Sequence, residues 1–183
     1  MAEDGTAIKK EKRGNISLEN VNQGKATGTA HAIGMVEKFV DENEMMKSDK
    51  IFVYTDGGAR GNPGPAAIGI MLYDEKKQLL LEHKECIGTA TNNIAEYKAL
   101  IKALELAVDF SQNEVRCFLD SELVVMQLNG RYRVKTPHIQ KLFSDLKQRE
   151  KMFKTVVYNH RRRTDPFISR CDSLVNNALD GVR

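Results

Sequence analysis

Four acidic residues of this chain stand where a carboxylate is hard to accommodate, and few folds can hold all of them. Asp56 ends the strand-like run Ile51-Phe52-Val53-Tyr54-Thr55 and precedes a turn at Gly57-Gly58. Asp120 closes a second, mostly apolar strand, Val115 to Leu119. Glu96 falls in the first turn of a helix starting near Asn93, on the side shared with Leu100, Ala103 and Ala107. Asp172 lies in the last helix, on a face shared with Val175 and Leu179. Unpaired buried carboxylates are too costly to keep, so four converging ones imply a hard cation with oxygen ligands, magnesium first among them. Each acid also has a plainer reading: Asp56 as a turn former, Asp120 as a helix cap, Glu96 as a dipole-favoured first-turn residue, Asp172 as a surface ion pair. The plainer readings require four coincidences on one sheet edge.

Periodicity supplies the order of elements. Ile51 to Asp56, Ala67 to Tyr73 and Gln78 to Ile87 read as strands, with Asp74-Glu75-Lys76-Lys77 as the hairpin turn between the last two. Asn93 to Phe110 is a long amphipathic helix, and as a crossover it makes the next strand, Glu114 to Leu119, parallel to the first. A short helix from Ser121 to Leu128 stops at Asn129-Gly130; a helix from His138 to Lys151, a strand from Lys154 to Asn159 and a helix from Ser169 to Leu179 follow. The order β-β-β-α-β-α-α-β-α predicts an α/β fold, a mixed five-stranded sheet flanked by helices. Asp56 and Asp120 then end two parallel neighbours, the edge at which open α/β sheets bind ligands.

With 183 residues the chain suffices for one packed domain, residues 50–183, and an extension, residues 1–49. The extension is polar and reads as disordered or partly helical, with Met35, Val36, Phe39 and Val40 at helical spacing. No apolar run reaches the ~18 residues of a membrane helix, and no leader is readable at the N-terminus, so the expectation is a cytoplasmic protein away from membranes. Three widely spaced cysteines, Cys86, Cys117 and Cys171, fit free thiols in a reducing compartment. The net charge of +3 hides an asymmetry: eleven Lys and Arg against two acids between Arg131 and Arg163 put +9 there and leave −6 for the rest. Such a segment is a candidate polyanion footprint, or else a solvated helix face.

Four blocks carry a resemblance. Tyr54-Thr55-Asp56-Gly57-Gly58-Ala59-Arg60-Gly61-Asn62-Pro63-Gly64-Pro65-Ala66, then Thr91-Asn92-Asn93-Ile94-Ala95-Glu96-Tyr97, then Leu119-Asp120-Ser121-Glu122-Leu123-Val124, then Cys171-Asp172-Ser173-Leu174-Val175-Asn176 resemble, in order and spacing, the signature blocks of type 1 ribonuclease H over about residues 50–179. The resemblance implies the ribonuclease H-like fold and endonucleolytic hydrolysis of the RNA strand of an RNA/DNA hybrid, leaving 5′-phosphate and 3′-hydroxyl ends. It implies two Mg2+ ions, with Mn2+ as a possible substitute: Asp56 bridging both, Asp172 beside it on the nucleophile side, Glu96 and Asp120 on the leaving-group side. Substrate contacts would come from Gly57, Gly58, Asn62, Asn92 and Asn93 at the minor groove and from Thr91 at a DNA phosphate. Arg131, Arg133 and Lys135 are possible helpers by charge, and His160 and Arg163 possible auxiliary residues. Neither an obligate protein partner nor an oligomer is expected.

The chain departs from the family pattern in places. It has no Trp, and only Gly130 to Pro137 stands where many bacterial members carry a basic protrusion, so it resembles the protrusion-lacking branch. Glu122 stands where a glutamine often follows Asp-Ser, and the loop Arg161 to Ile168 reads as longer than usual. A catalytically silent hybrid-binding module, or another nuclease of the same fold, are the rival readings; the four acids oppose the first and the Asn-Asn-x-x-Glu block the second.

Overall fold

A computed structural model describes residues 48–181. The expectations for residues 1–47, including the helix around 34–46, lie outside the described residues. Strand β1 (Lys50–Ala59) leads into the hairpin partners β2 (Gly64–Tyr73) and β3 (Leu79–Ala90). Then come α1 (Asn92–Ala107), β4 (Glu114–Leu119), α2 (Glu122–Leu128), α3 (Pro137–Glu150), β5 (Thr155–His160) and α4 (Pro166–Asp180). The five strands form one sheet in the order β3-β2-β1-β4-β5. β1 pairs antiparallel with β2 and parallel with β4, and β4 runs parallel to β5, so the α1 crossover has the predicted effect.

Strand alternation divides the core between two layers. Ile51 and Val53 pack with Ile68, Ile70, Val115 and Cys117 against Tyr97, Leu100 and Leu104 of α1. Phe52 and Tyr54 point to the other face, where Met71 and Tyr73 meet Cys171, Leu174 and Phe167 of α4. Tyr54 lies flat between Phe118 and Phe167, with ring centroids 4.9 and 4.6 Å away. Asp56 continues the parity of Phe52 and Tyr54 and therefore belongs to the α4 face, whereas Gly57 belongs to the α1 face.

Three sequence expectations are corrected. Gly57-Gly58 is not a turn: β1 runs on to Ala59, with Gly57 paired to Ile68 and Gly58 to Ala67. The reason is packing. A Cβ on Gly57 would collide with the Ala95 carbonyl and come within 2.6 Å of the Glu96 amide nitrogen, so the glycine lets α1 lie directly on the strand. Second, α1 begins at Asn92 behind the N-cap Thr91 and has no acid in its first turn, which puts Glu96 one residue further in than expected, in the second turn. Its position is set by that docking on Gly57, not by the helix dipole. Third, the last helix starts at Pro166, three residues before the expected Ser169. Asp165 caps α4, its Oδ1 accepting from the Phe167 amide at 2.9 Å, and Pro166 opens the helix, so Phe167 and Ile168 are helical.

Candidate active site

The C-terminal ends of β1 and β4, the second turn of α1 and the middle of α4 enclose a cleft of about 400 Å³. Asp56, Glu96, Asp120 and Asp172 all line it, together with Gly57, Gly58, Asn92, Arg163 and Asn176. Asp56 is the deepest, 4% exposed and inside β1, where it is paired with Gly69 of β2. Asp120 follows the last residue of β4, and Asp172 comes from α4, seated against the sheet because a Cβ on Gly69 would clash with the Cys171 carbonyl oxygen and lie 2.9 Å from Leu174 Cβ.

Burial and mutual repulsion leave these acids poorly compensated. Burial pushes the Asp56 carboxyl up to about 7, the charge of Asp120 adds to this, and the Arg163 guanidinium opposes it. Burial likewise pushes Glu96 up to about 8, against a hydrogen bond from Ser121 and with the charges of Asp120 and Asp56. Asp56 Oδ2 and Glu96 Oε2 are buried without a hydrogen-bond partner. Asp172 is held on both sides: Asn176 Nδ2 donates to its Oδ2 at 3.1 Å, and Arg163 Nη2 donates to its Oδ1 at 2.8 Å. Arg163 also stands 3.5 Å from Asp120 Oδ2 and 3.9 Å from Asp56 Oδ2. Among the described residues no three acids, histidines or cysteines are already drawn around one point in coordinating geometry, and the Arg163 guanidinium stands among the carboxylates. The donor set itself, four carboxylates with two orphaned buried oxygens, suits a hard divalent cation.

The remaining predicted residues divide. Asn62 and Asn92 tie the two glycine-containing segments together: Asn92 Oδ1 accepts from the Ala59 amide at 2.8 Å, and Asn62 Oδ1 accepts from the Asn92 amide at 3.2 Å. Their carbonyl oxygens are thus committed to the framework, which leaves the side-chain amides as donors. Thr91 caps α1, accepting from Ile94 at 3.4 Å, and Asn93 keeps a buried Oδ1 without a partner. His160 is paired with Leu119 at the end of β5 but lines a neighbouring depression with Arg161, Arg162 and Thr164 rather than the carboxylate cleft. The three consecutive arginines are not equivalent, because Arg161 lies over the Phe118 ring at 5.2 Å while Arg163 enters the cleft. Of the basic segment, Lys147 and Arg149 are already paired within the protein, to Glu150 at 2.7 Å and Glu105 at 2.8 Å. Sequence reasoning overlooked Gly69, Ser121 and Asn176 as positioning residues. A glycine inside an apolar strand and an asparagine one turn after a candidate ligand were the available signals.

Comparison with known proteins agrees with this geometry. Residues 54–174 match the family described as reverse transcriptase-like. Ribonuclease HI of Halobacterium salinarum (strain ATCC 700922 / JCM 11081 / NRC-1) is 36% identical over 163 residues, covering 84% of this chain and 81% of that protein. The crystal structure of RNase H1 from that archaeon matches with a TM-score of 0.69 at 38% identity, over 72% of this chain and 98% of the other. LC11-RNase H1 in complex with an RNA/DNA hybrid matches with a TM-score of 0.67 at 42% identity, over 72% of this chain and 98% of the other. The bifunctional protein Rv2228c of Mycobacterium tuberculosis (strain ATCC 25618 / H37Rv) is 39% identical over 134 residues, 73% of this chain, and this chain spans only 36% of its length. A mixed sheet with carboxylates gathered at the ends of two parallel strands defines the ribonuclease H-like fold class. Within it, the chain belongs to the type 1 ribonuclease H family.

Proposed function

We propose that this chain is an endonuclease that hydrolyses the RNA strand of RNA/DNA hybrids, leaving 5′-phosphate and 3′-hydroxyl ends. The observation that carries the reading is the convergence of Asp56, Glu96, Asp120 and Asp172 on one cleft in which two buried carboxylate oxygens have no hydrogen-bond partner. The names of the relatives and the hybrid bound to LC11-RNase H1 support it.

The four carboxylates would hold two divalent ions, Mg2+ or in its place Mn2+, because all-oxygen anionic donors select hard cations. When bound, such ions lower the pKa of water and stabilise the charge of the leaving oxygen. The rest of the work belongs to the chain's own residues. Ser121 orients Glu96, and Asn176 fixes one oxygen of Asp172, so both acids are pre-set against the buried Asp56. Gly57 and Gly58 present bare backbone at the cleft wall, and the amide groups of Asn62, Asn92 and Asn93 are the donors assigned to sugar hydroxyls and minor-groove edges. Thr91, Arg131, Arg133 and Lys135 are assigned to phosphates, and His160 to a peripheral role at most. The protein is read as a monomer, and its three free cysteines favour the cytoplasm.

The test is cleavage of end-labelled RNA/DNA, RNA/RNA and DNA/DNA duplexes with magnesium, with manganese or with chelator. Internal cuts confined to the RNA of the hybrid, abolished by chelator, are expected. Equal cutting of DNA/DNA would overturn the substrate assignment, and full activity in chelator the metal assignment.

A further inference from the structure

The guanidinium of Arg163 reaches three of the four cleft acids from one position: Asp172 Oδ1 at 2.8 Å, Asp120 Oδ2 at 3.5 Å and Asp56 Oδ2 at 3.9 Å. These are the acids to which the proposed function assigns divalent ions, and the inference rests on that assignment. With Asn176 on Oδ2 and Arg163 on Oδ1, both oxygens of Asp172 are engaged. A cation that binds Oδ1 meets the guanidinium at close range, and the two positive charges repel each other there.

The surroundings of Arg163 are arranged for release. Its side chain is 66% exposed, so it can leave without opening the core. The loop that carries it is fastened at both ends. Arg161 is stacked over Phe118, its amide donating to the Leu119 carbonyl at 2.9 Å, while Asp165 caps α4. The side chain can therefore swing while the strand end and the helix stay in place. Arg162, one residue earlier, carries the same charge but lines the neighbouring depression.

We infer that Arg163 is a displaceable counter-cation: it offsets part of the charge of the carboxylate cleft in the metal-free protein and is expelled when divalent ions enter, so it lowers the apparent metal affinity. A site competent for metal only in its Arg163-out state binds more weakly in proportion to the time spent in that state.

Mn2+ titration calorimetry on the full chain tests this, comparing wild type with Arg163→Ala, Arg163→Lys and Arg162→Ala. Loss of the contact should tighten Mn2+ binding about tenfold in Arg163→Ala. Arg163→Lys should stay nearer wild type, and Arg162→Ala should change binding less than about twofold, as expected of a screened exposed charge. The metal-free melting temperature should fall in Arg163→Ala and recover at saturating Mn2+, which Arg162→Ala should not show. Equal tightening by the two alanine variants would mean that net charge alone acts, and unchanged binding in Arg163→Ala would mean that there is no competition; either removes the counter-cation while leaving the metal reading standing. If wild type takes up no Mn2+, the metal reading falls and takes the inference with it.

Discussion

Asp56 and Gly69 face each other across the β1–β2 ladder, and the side chain missing at Gly69 is what allows α4 to bring Asp172 to Asp56. The acid and its opposite glycine thus form one unit, in which the backbone of α4 at Cys171 occupies the volume where a Cβ would be. Gly57 plays the same part for α1 and Glu96 on the other face.

Gly69→Ala should therefore separate α4 from the sheet, costing about 1 to 3 kcal/mol by overpacking. It should reduce hybrid cleavage more than Gly58→Ala, whose added methyl would meet only the Val175 Cγ1 at 3.3 Å. Urea unfolding and initial cleavage rates check this; a Gly69→Ala variant with wild-type stability and cleavage rate would show that the close approach at Gly69 does not position Asp172.

Asp56→Asn is nearly isosteric and should abolish turnover while leaving hybrid binding intact. Because it removes a buried charge-bearing group whose pKa is raised by burial, the metal-free variant should melt no lower than wild type near neutral pH. Substantial cleavage by the pure variant would remove Asp56 from the centre of the site.

The raised pKa values of Asp56, about 7, and Glu96, about 8, set a pH dependence. The folded metal-free protein holds protons that the unfolded chain releases near pH 4, so the stability they contribute is complete below about pH 4 and is lost as pH rises through 7 and 8. In chelator, the melting temperature should fall by several degrees between about pH 5 and about pH 8.5. Glu96→Gln should flatten that fall, and Mg2+ should raise the melting temperature more at the alkaline end. A flat or rising profile in chelator would contradict the shifts.

Asn62 separates framework from recognition. Asn62→Ala loses the acceptor for the Asn92 amide as well as the side-chain donor, whereas Asn62→Asp keeps the acceptor, loses the donor and adds a negative charge. The alanine variant should lower both melting temperature and activity. The aspartate variant should keep its melting temperature and raise the Michaelis constant for the hybrid; an unchanged constant would confine Asn62 to the loop's framework.

Arg131, Arg133 and Lys135 are exposed in the link between α2 and α3. Replacing all three by Ala should weaken hybrid binding and lower its log-log salt slope by roughly one unit per lost phosphate contact. An unchanged slope, measured by fluorescence anisotropy, would place that link away from the substrate.

Much of the architecture was legible along the chain, because strand and helix periods are local properties. The alternation at Ile51 to Thr55, the hairpin at Asp74 to Lys77 and the crossover helix before Glu114 were enough to place Asp56 beside Asp120. Where local signals compete, the reading slipped. Gly57-Gly58 has the composition of a turn but serves close packing inside a strand, and Asp165-Pro166 is a helix start that the preceding arginines disguised as loop. The basic run from Arg131 to Arg163 read as one footprint, yet Lys147 and Arg149 are spent on internal ion pairs.

By itself the sequence determined the order of elements, the identity of the four acids and the sheet edge on which they stand, since hydrophobic period and residue type are written residue by residue. Only the tertiary structure decided that α1 and α4 approach closely enough, through Gly57 and Gly69, to turn four separate acids into one cleft. It also decided that Arg163, and not Arg161 or Arg162, lies among those acids. Such choices depend on distances between segments about a hundred residues apart, from Asp56 to Asp172, and on which side chain of a short loop faces inward, which no local pattern encodes.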